Sequence, residues 1–546
     1  MSTKPANRDA QDKFLLVAIL ATAGITALLW VAGWTSAHLS GHPAPHGGAI
    51  AALAAFGHIG DPSVAWHGPV GPPILYWVIT AIFIVAPCLL AWAGWRLFTG
   101  KVSSSPKQKH HDGTATRREV VAAAGKRVLL HRAKTLRPSL THPQPEDVGY
   151  RLGSSHRLTC WASVEDSMLL LGPPRSGKGY QIVIPMILDA PGAVVTTSTR
   201  PDNLAVTLAY RAKKGAVAVF DPQGLAPAGS NIPTLRWSPI RGCERPQTAM
   251  LRAAALGQGG TGGVESGAFW MQQSQSAIQY LLHAAAIGGK SPADLYRWSH
   301  SAIGAKEAVA ILVSHADATP GWGHGLDAII GMDQRTRDSI WAMVSNAFSP
   351  LADPDVLAAV SPEPGEEFTP KSFIEERGTL YLLGTASGSS ATGNLVAALI
   401  EDVVDMAKRL AARSPGARLD PPLALILDEA ANYPLPSLPS LMSEGGGSGI
   451  TTMAVLQSLS QARDTWGRES AGAIWDSAIA KVLLGGSANA DDLGDISKLI
   501  GEHEVETTSV TRGSQSVSTS TSTRMKPIVS PADIRLLRFG TGLLLL

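Results

Sequence analysis

The segment Gly172-Pro-Pro-Arg-Ser-Gly-Lys-Gly179 restricts what this chain can fold into more than any other part of it. Its spacing is G-x-x-x-x-G-K. Glycines at such positions let backbone N–H groups close around phosphate oxygens, and a lysine at the end reaches the outer phosphates. Met168-Leu-Leu-Leu171 precedes the loop as a short apolar run, a buried strand by its pattern, and helix-forming residues follow. Strand, loop and helix therefore come in the order that a phosphate-binding loop needs. The candidate nucleotide contacts are Gly172, Pro173, Pro174, Arg175, Ser176, Gly177, Lys178, Gly179 and Tyr180. The plainer reading, a glycine-rich turn before a helix, loses ground to the strand ahead of it and to the partner motif below. One position departs from the usual pattern. Gly179 stands where Ser or Thr would hold magnesium, so the metal must rely on phosphate oxygens, water and a carboxylate from elsewhere.

Leu423-Ala-Leu-Ile-Leu-Asp-Glu-Ala430 supplies that carboxylate. Five apolar residues end in two acids, the pattern of a strand that delivers Asp428 to a magnesium ion and Glu429 to an attacking water. Taken alone, the same residues are a buried strand followed by two solvated acids. Further apolar runs at 193–196, 216–220, 380–383, 450–456 and 481–484 read as strands of the same sheet. Helical stretches between them, notably 394–412, argue for an α/β fold: a mainly parallel, RecA-like sheet with ligands at the strand C-terminal ends. Asp221 and Gln457 fall at such ends. Gln457 either orients water near the outer phosphate, as a fourth catalytic candidate beside Lys178, Asp428 and Glu429, or is a structural hydrogen bonder.

Residues 241–345 are dominated by helix formers with glycine-rich breaks such as 257–263, which predicts an all-α insertion domain between the two halves, 150–240 and 346–546, of a nucleotide-binding domain. Arg335 and Arg337, near its end, are either surface charges or a source of an arginine for a neighbouring subunit's phosphate. Thr and Ser alternate with Val across 503–524, which fits an exposed hairpin. The chain stops within the apolar run 543–546; either it is truncated there or its last strand is buried.

Residues 14–34 form a 21-residue run without a charge, and 74–95 a second one. Each is long enough to span ~30 Å of hydrocarbon. Lys and Arg are absent from 35–73, while residues 96–137 hold eleven of them and carry a net +9; residues 138–546 then sum to −7. This asymmetry predicts a two-helix anchor over 1–100 in the cell membrane, multi-pass, with both termini cytoplasmic and an outer loop at 35–73. The basic linker 101–149 would face anionic lipid, with nucleic acid as the second reading. Five histidines in the loop (His38, His42, His46, His58, His67) lack helical metal-ligand spacing and read first as polar loop. Three cysteines without a CxxC pair exclude a disulfide framework.

Several blocks together resemble the type IV coupling proteins of the TraG/TraD type: the loop followed by Ile184-Pro185, Thr197-Ser-Thr-Arg-Pro-Asp202, Phe220-Asp-Pro222, Trp237-Ser-Pro239, Leu427-Asp-Glu-Ala430 and Val455-Leu-Gln-Ser458. Gly at 179 matches many members of that family. The resemblance implies an ATPase with ATP and Mg2+ as cofactors that assembles as a homo-hexamer. Its implied partners are a relaxase or effector protein substrate, single-stranded DNA, type IV secretion channel proteins and the membrane. It further implies that the helical insertion receives substrates. Two other readings stay open. One is a substrate receptor with little hydrolysis, favoured by Gly179 and opposed by Glu429. The other is an FtsK-like DNA pump, which usually carries more membrane helices and a sequence-reading C-terminal module.

Overall fold

A computed structural model describes residues 24, 26–102, 113–226, 234–258, 267–384, 392–487, 489–512 and 517–546. The chain divides into two compact units, 1–110 and 111–546.

In the first unit, residues 26–39 are helical and helix α1 spans Pro73–Val102. Trp66, fully buried, donates from Nε1 to the Tyr76 hydroxyl at 3.1 Å, and Ser36 Oγ donates to the Val70 carbonyl at 2.7 Å. These contacts hold a small core of Leu29, Ala52, Trp66, Val70 and Tyr76. Among the described residues no helix is long and apolar enough to cross a membrane. That finding overturns the expected cell-membrane localisation, with its cytoplasmic termini and its lipid partner. The first apolar run, at 14–34, lies largely outside the described residues. The second, at 74–95, lies within helix α1, and its last residues also fall in part outside the described ones. The basic stretch 103–112 and most of the break at 257–263 also lie outside the described residues.

The second unit is built on an eight-stranded sheet, ordered β12-β9-β3-β8-β7-β4-β6-β5. Its strands are β3 (Met168–Leu171), β4 (Val194–Ser198), β5 (Val217–Phe220), β6 (Thr379–Leu383), β7 (Leu423–Leu427), β8 (Ile450–Leu456), β9 (Ala480–Leu484) and β12 (Gly542–Leu545). Every neighbouring pair is parallel except β12 with β9. The sequence is the cause: β3, β6, β7 and β8 are buried along their whole length, because a parallel sheet covered on both faces needs unbroken apolar runs rather than alternation. β12 is a half-buried edge strand, so residues 543–545 of the terminal run are paired but not enclosed.

Between β5 and β6 the chain is helical. Helix α2 (Pro246–Leu256), α3 (Gly267–Ile287), α4 (Pro292–Ser299), α5 (Lys306–Ser314), α6 (Trp322–Ile330) and α7 (Gln334–Phe348) pack into one apolar cluster continuous with one face of the sheet. Pro246 and Pro292 sit at helix starts, where the missing N–H costs nothing, and Ser291 closes a capping box on Asp294. Helix α8 (Gly393–Arg413) follows β6 and docks on α2: Arg252 pairs with Asp402 at 2.8 Å, and Trp237 Nε1 donates to the same carboxylate at 3.0 Å. The Thr- and Ser-rich stretch forms an antiparallel hairpin, β10 (Glu502–Arg512) with β11 (Val517–Pro527). Strands β1 (Gly149–Ser155) and β2 (Leu158–Ser163) form a separate small sheet ahead of β3.

Candidate nucleotide-binding site

The strand order decides which residues meet. β8 lies between β3 and β7, pairing with both in parallel, so the C-terminal ends of three strands converge. Leu171 is level with Leu456, which places Gly172 beside Gln457; Leu427 is level with Ala454, which places Asp428 beside Val455. The Gly172 N–H donates to the Leu456 carbonyl at 3.0 Å and anchors the loop to β8.

The loop needs its glycines at particular places. Gly177 has φ +88°, in the left-handed region, and a Cβ at Gly172 would lie 2.7 Å from Ser176 Oγ. Arg175 also adopts a positive φ, +64°, and is exposed, as is Pro174. Tyr180 points outward at 78 % exposure, and the chain from Gly179 continues as a single wide helical turn to Val183 before helix Ile184–Asp189. The Gln181 N–H donates to the Gly177 carbonyl at 3.0 Å.

Lys178 Nζ, Ser176 Oγ and Asp428 Oδ1 are buried and, among the described residues, have no hydrogen-bond partner. A buried ammonium, hydroxyl and carboxylate oxygen left unpaired is costly in a finished core and ordinary in a site that receives a charged ligand. The group implied by the loop, a nucleotide with a divalent cation, has the complementary chemistry: phosphate oxygens for Lys178 and Ser176, a hard cation for Asp428. Burial pushes the Asp428 carboxyl up from its ordinary range; Lys178 opposes that shift and Glu429 adds to it.

Glu429 is held in place. Its backbone is left-handed, φ +52°, a strained setting for a residue with a side chain. Its Oε2 accepts from Thr199 Oγ1 at 2.7 Å and from Asn432 Nδ2 at 3.2 Å. Thr197 Oγ1 donates to the Asp428 carbonyl at 2.8 Å, and Asn203 Nδ2 donates to Asp428 Oδ2 at 3.4 Å. β4 therefore contributes a polar frame to the acids of its neighbour β7. Thr199 and Asn203 are not among the site residues expected from the sequence, although Thr199 lies in the block Thr197–Asp202 and Asn203 directly follows it. Phe539 is missed entirely. Its ring packs on the loop, where a Cβ at Gly177 would meet Phe539 Cε2 at 2.8 Å, and it remains 72 % exposed.

The other expected positions are distributed as follows. Gln457 lines a pocket with Gly172, Pro173, Ser458 and Asp492, and its backbone N–H donates to Gln461 Oε1 at 3.3 Å. Asp221 is used up by its own turn, accepting from the N–H groups of Leu225 at 2.8 Å and Ala226 at 2.7 Å. Arg335 is exposed on α7, and Arg337 pairs with Asp338 at 3.4 Å. Among the described residues there is no cluster of His, Cys, Asp or Glu able to hold a metal by itself, and none forms in the histidine-bearing segment.

Residues 422–539, from the start of β7 to Phe539, match the family described as "TraM recognition site of TraD and TraG". This C-terminal part of the chain is therefore similar to the coupling proteins of the TraG/TraD type. The fold is similar to that of the bacterial conjugative coupling protein TrwB in its unbound form, at 19 % identity and a TM-score of 0.51 over 75 % of this chain and 87 % of that one. TrwB in complex with ADP and Mg2+ matches equally, at 19 % identity and a TM-score of 0.51 over 75 % of this chain and 88 % of that one. At that identity the likeness shows the fold. No curated protein matches the sequence. The matched segment takes in Asp428, Glu429, Gln457 and Phe539, while Lys178 and Asn203 come from earlier in the chain, after β3 and β4, which pair with the matched strands.

Proposed function

We propose that this chain is a coupling ATPase of a conjugation or type IV secretion system, binding ATP with Mg2+ at the ends of β3 and β7 and using its hydrolysis to drive DNA or protein substrates into a secretion channel. The observation that supports this most is the trio of buried, unpaired polar atoms, Lys178 Nζ, Ser176 Oγ and Asp428 Oδ1. The similarity to a coupling protein solved with ADP and Mg2+ points the same way.

In this reading the backbone from Gly172 to Tyr180 encloses the phosphates and Lys178 neutralises the outer ones. Asp428 holds magnesium, whose role when bound is to offset charge on the phosphate oxygens. Glu429 accepts the proton of the attacking water, and Thr199 and Asn432 fix the direction in which its carboxylate points. Gln457, beside the loop, orients that water. An arginine from a neighbouring subunit completes the charge stabilisation, so the working unit is a homo-hexamer. We place the nucleotide-binding domain at 150–240 and 346–546 and the all-α insertion at 241–345. The insertion receives a relaxase or effector protein, and pore loops grip single-stranded DNA through its backbone. A TraM-like accessory protein is the further partner that the matched family suggests.

A second reading, a receptor that binds ATP without turning it over, draws on the missing hydroxyl at Gly179. It leaves the strained, hydrogen-bonded Glu429 without a task. Steady-state ATP hydrolysis by the full-length chain, with and without single-stranded DNA, separates the two. We expect turnover stimulated by DNA, abolished in Lys178→Ala together with nucleotide binding, and reduced by about 100-fold or more in Glu429→Gln with binding kept. An oligomeric preparation that binds ATP and shows no turnover would leave the receptor.

A further inference from the structure

We propose that Asn203 supplies, through its side-chain oxygen, the magnesium-facing group that position 179 lacks; the inference rests on the nucleotide-binding reading above. Asn203 is 4 % exposed and sits in the first turn of helix Asp202–Arg211, which leaves the end of β4. β4 pairs with β7, so this turn lies beside the acids that end β7. Nδ2 donates to Asp428 Oδ2 at 3.4 Å. An ionised carboxylate only accepts, which turns the amide nitrogen toward Asp428 and sends Oδ1 the other way. What Oδ1 meets there is position 179. A Cβ built on Gly179 has Asn203 Oδ1 at 4.0 Å and, apart from its own turn of chain, no other described heavy atom within that distance. A Ser or Thr hydroxyl at 179 would stand one bond beyond such a Cβ, in the space that the Asn203 oxygen faces.

The chemistry suits the substitution. Magnesium takes oxygen donors in near-octahedral arrangement and keeps several waters, so an amide oxygen can replace a hydroxyl as a direct ligand or as acceptor for a bound water. The second oxygen of Asp428, Oδ1, is buried and without a partner among the described residues. One side chain thus steers the carboxylate that would bind the cation and presents an oxygen toward the gap in the loop. A purely structural asparagine, serving only to hold Asp428, would make no contribution replaceable by a hydroxyl at 179.

That difference is the test. Binding of a fluorescent ATP analogue to the full-length chain is titrated against free Mg2+, and repeated in EDTA, for the wild type, Asn203→Ala, Gly179→Ser and the double variant. Asn203→Leu, close to Asn in shape, carries the measurement if Asn203→Ala loses its fold by circular dichroism. We expect the Asn203 variants to need about tenfold more Mg2+ for half-maximal binding, as outer-sphere losses do, with affinity in EDTA unchanged. Gly179→Ser, for which the space exists, returns the Asn203→Ala requirement to near the wild-type value. An unchanged Mg2+ requirement in the folded variants, an equal loss in EDTA, or no recovery with Gly179→Ser each overturns the role of Asn203 while leaving nucleotide binding intact. A wild-type chain that binds no nucleotide with or without Mg2+ overturns the functional reading itself.

Discussion

Asp428 carries its charge at a cost. Burial raises its carboxyl above the ordinary range, with Glu429 adding to the shift and Lys178 opposing it. A carboxyl whose pKa is raised in the fold favours the folded state most at low pH, and that advantage disappears as pH rises through the raised value. The nucleotide-free Asp428→Asn variant should therefore melt at a higher temperature than the wild type at pH 7. The gap should narrow toward pH 4, in thermal melts followed by circular dichroism, and magnesium should no longer strengthen nucleotide binding. A lower Tm at pH 7 would show that Asp428 is a net structural asset. Thr199 gives the complementary case. Its hydroxyl donates to the Glu429 carboxylate at 2.7 Å. Thr199→Val should lower turnover by about tenfold and leave the affinity for nucleotide within twofold, because only the water-activating group is released.

Between elements, two ionic clusters hold the helical segment, and burial separates their worth. Arg252 on α2 is 2 % exposed; it pairs with Asp402 on α8 at 2.8 Å, donates to the Pro239 carbonyl at 2.8 Å and lies over the Trp237 ring at 5.2 Å. Arg252→Ala strands Asp402 and removes a packed side chain, so it should cost about 3 kcal/mol, read as the loss of denaturation free energy in urea. Glu307 on α5 is the exposed counterpart. Lys290 at 2.7 Å, Arg297 at 2.6 Å and Trp298 Nε1 at 3.0 Å all contact its carboxylate and lower its pKa from 4.5 to about 2. At 36 % side-chain exposure solvent screens most of that, and Glu307→Gln should cost about 0.5 kcal/mol at pH 7. The sign for a lowered pKa is the reverse of Asp428: the contribution is complete above 4.5 and lost as pH falls toward 2. Wild type and variant should accordingly converge in acid and separate again at neutral pH.

For the whole molecule, the prediction concerns assembly. An ATPase completed by a neighbour's arginine loses more than its share of activity when dead subunits are mixed in. Adding Lys178→Ala chains to the wild type at a one-to-one ratio should reduce turnover to well below half, whereas independent sites would give half. Arg335, exposed on α7, is the first residue to replace in that assay, since Arg337 is engaged by Asp338.

Local features were legible because their causes are local. Glycine spacing between 172 and 179 follows from backbone conformations such as the positive φ of Gly177, and unbroken apolar runs follow from strands covered on both faces. From these the α/β class, the strands and the two acids of β7 could be read directly. The order β9-β3-β8-β7-β4 could not, because strand pairing is set by contacts between runs far apart in the chain, and no run states its neighbours. Only that order brings Thr199 within 2.7 Å of Glu429 across 230 positions, turns Asn203 toward Asp428 and Gly179, and lays Phe539 on the loop. The expected membrane placement marks the opposite limit. Apolar length and cation asymmetry are one-dimensional counts, and among the described residues no helix bears the placement out. What the sequence by itself determined was the identity of the charged groups and the elements that carry them; their juxtaposition was decided by the tertiary fold, since the energy of a buried charge depends on which distant atoms surround it.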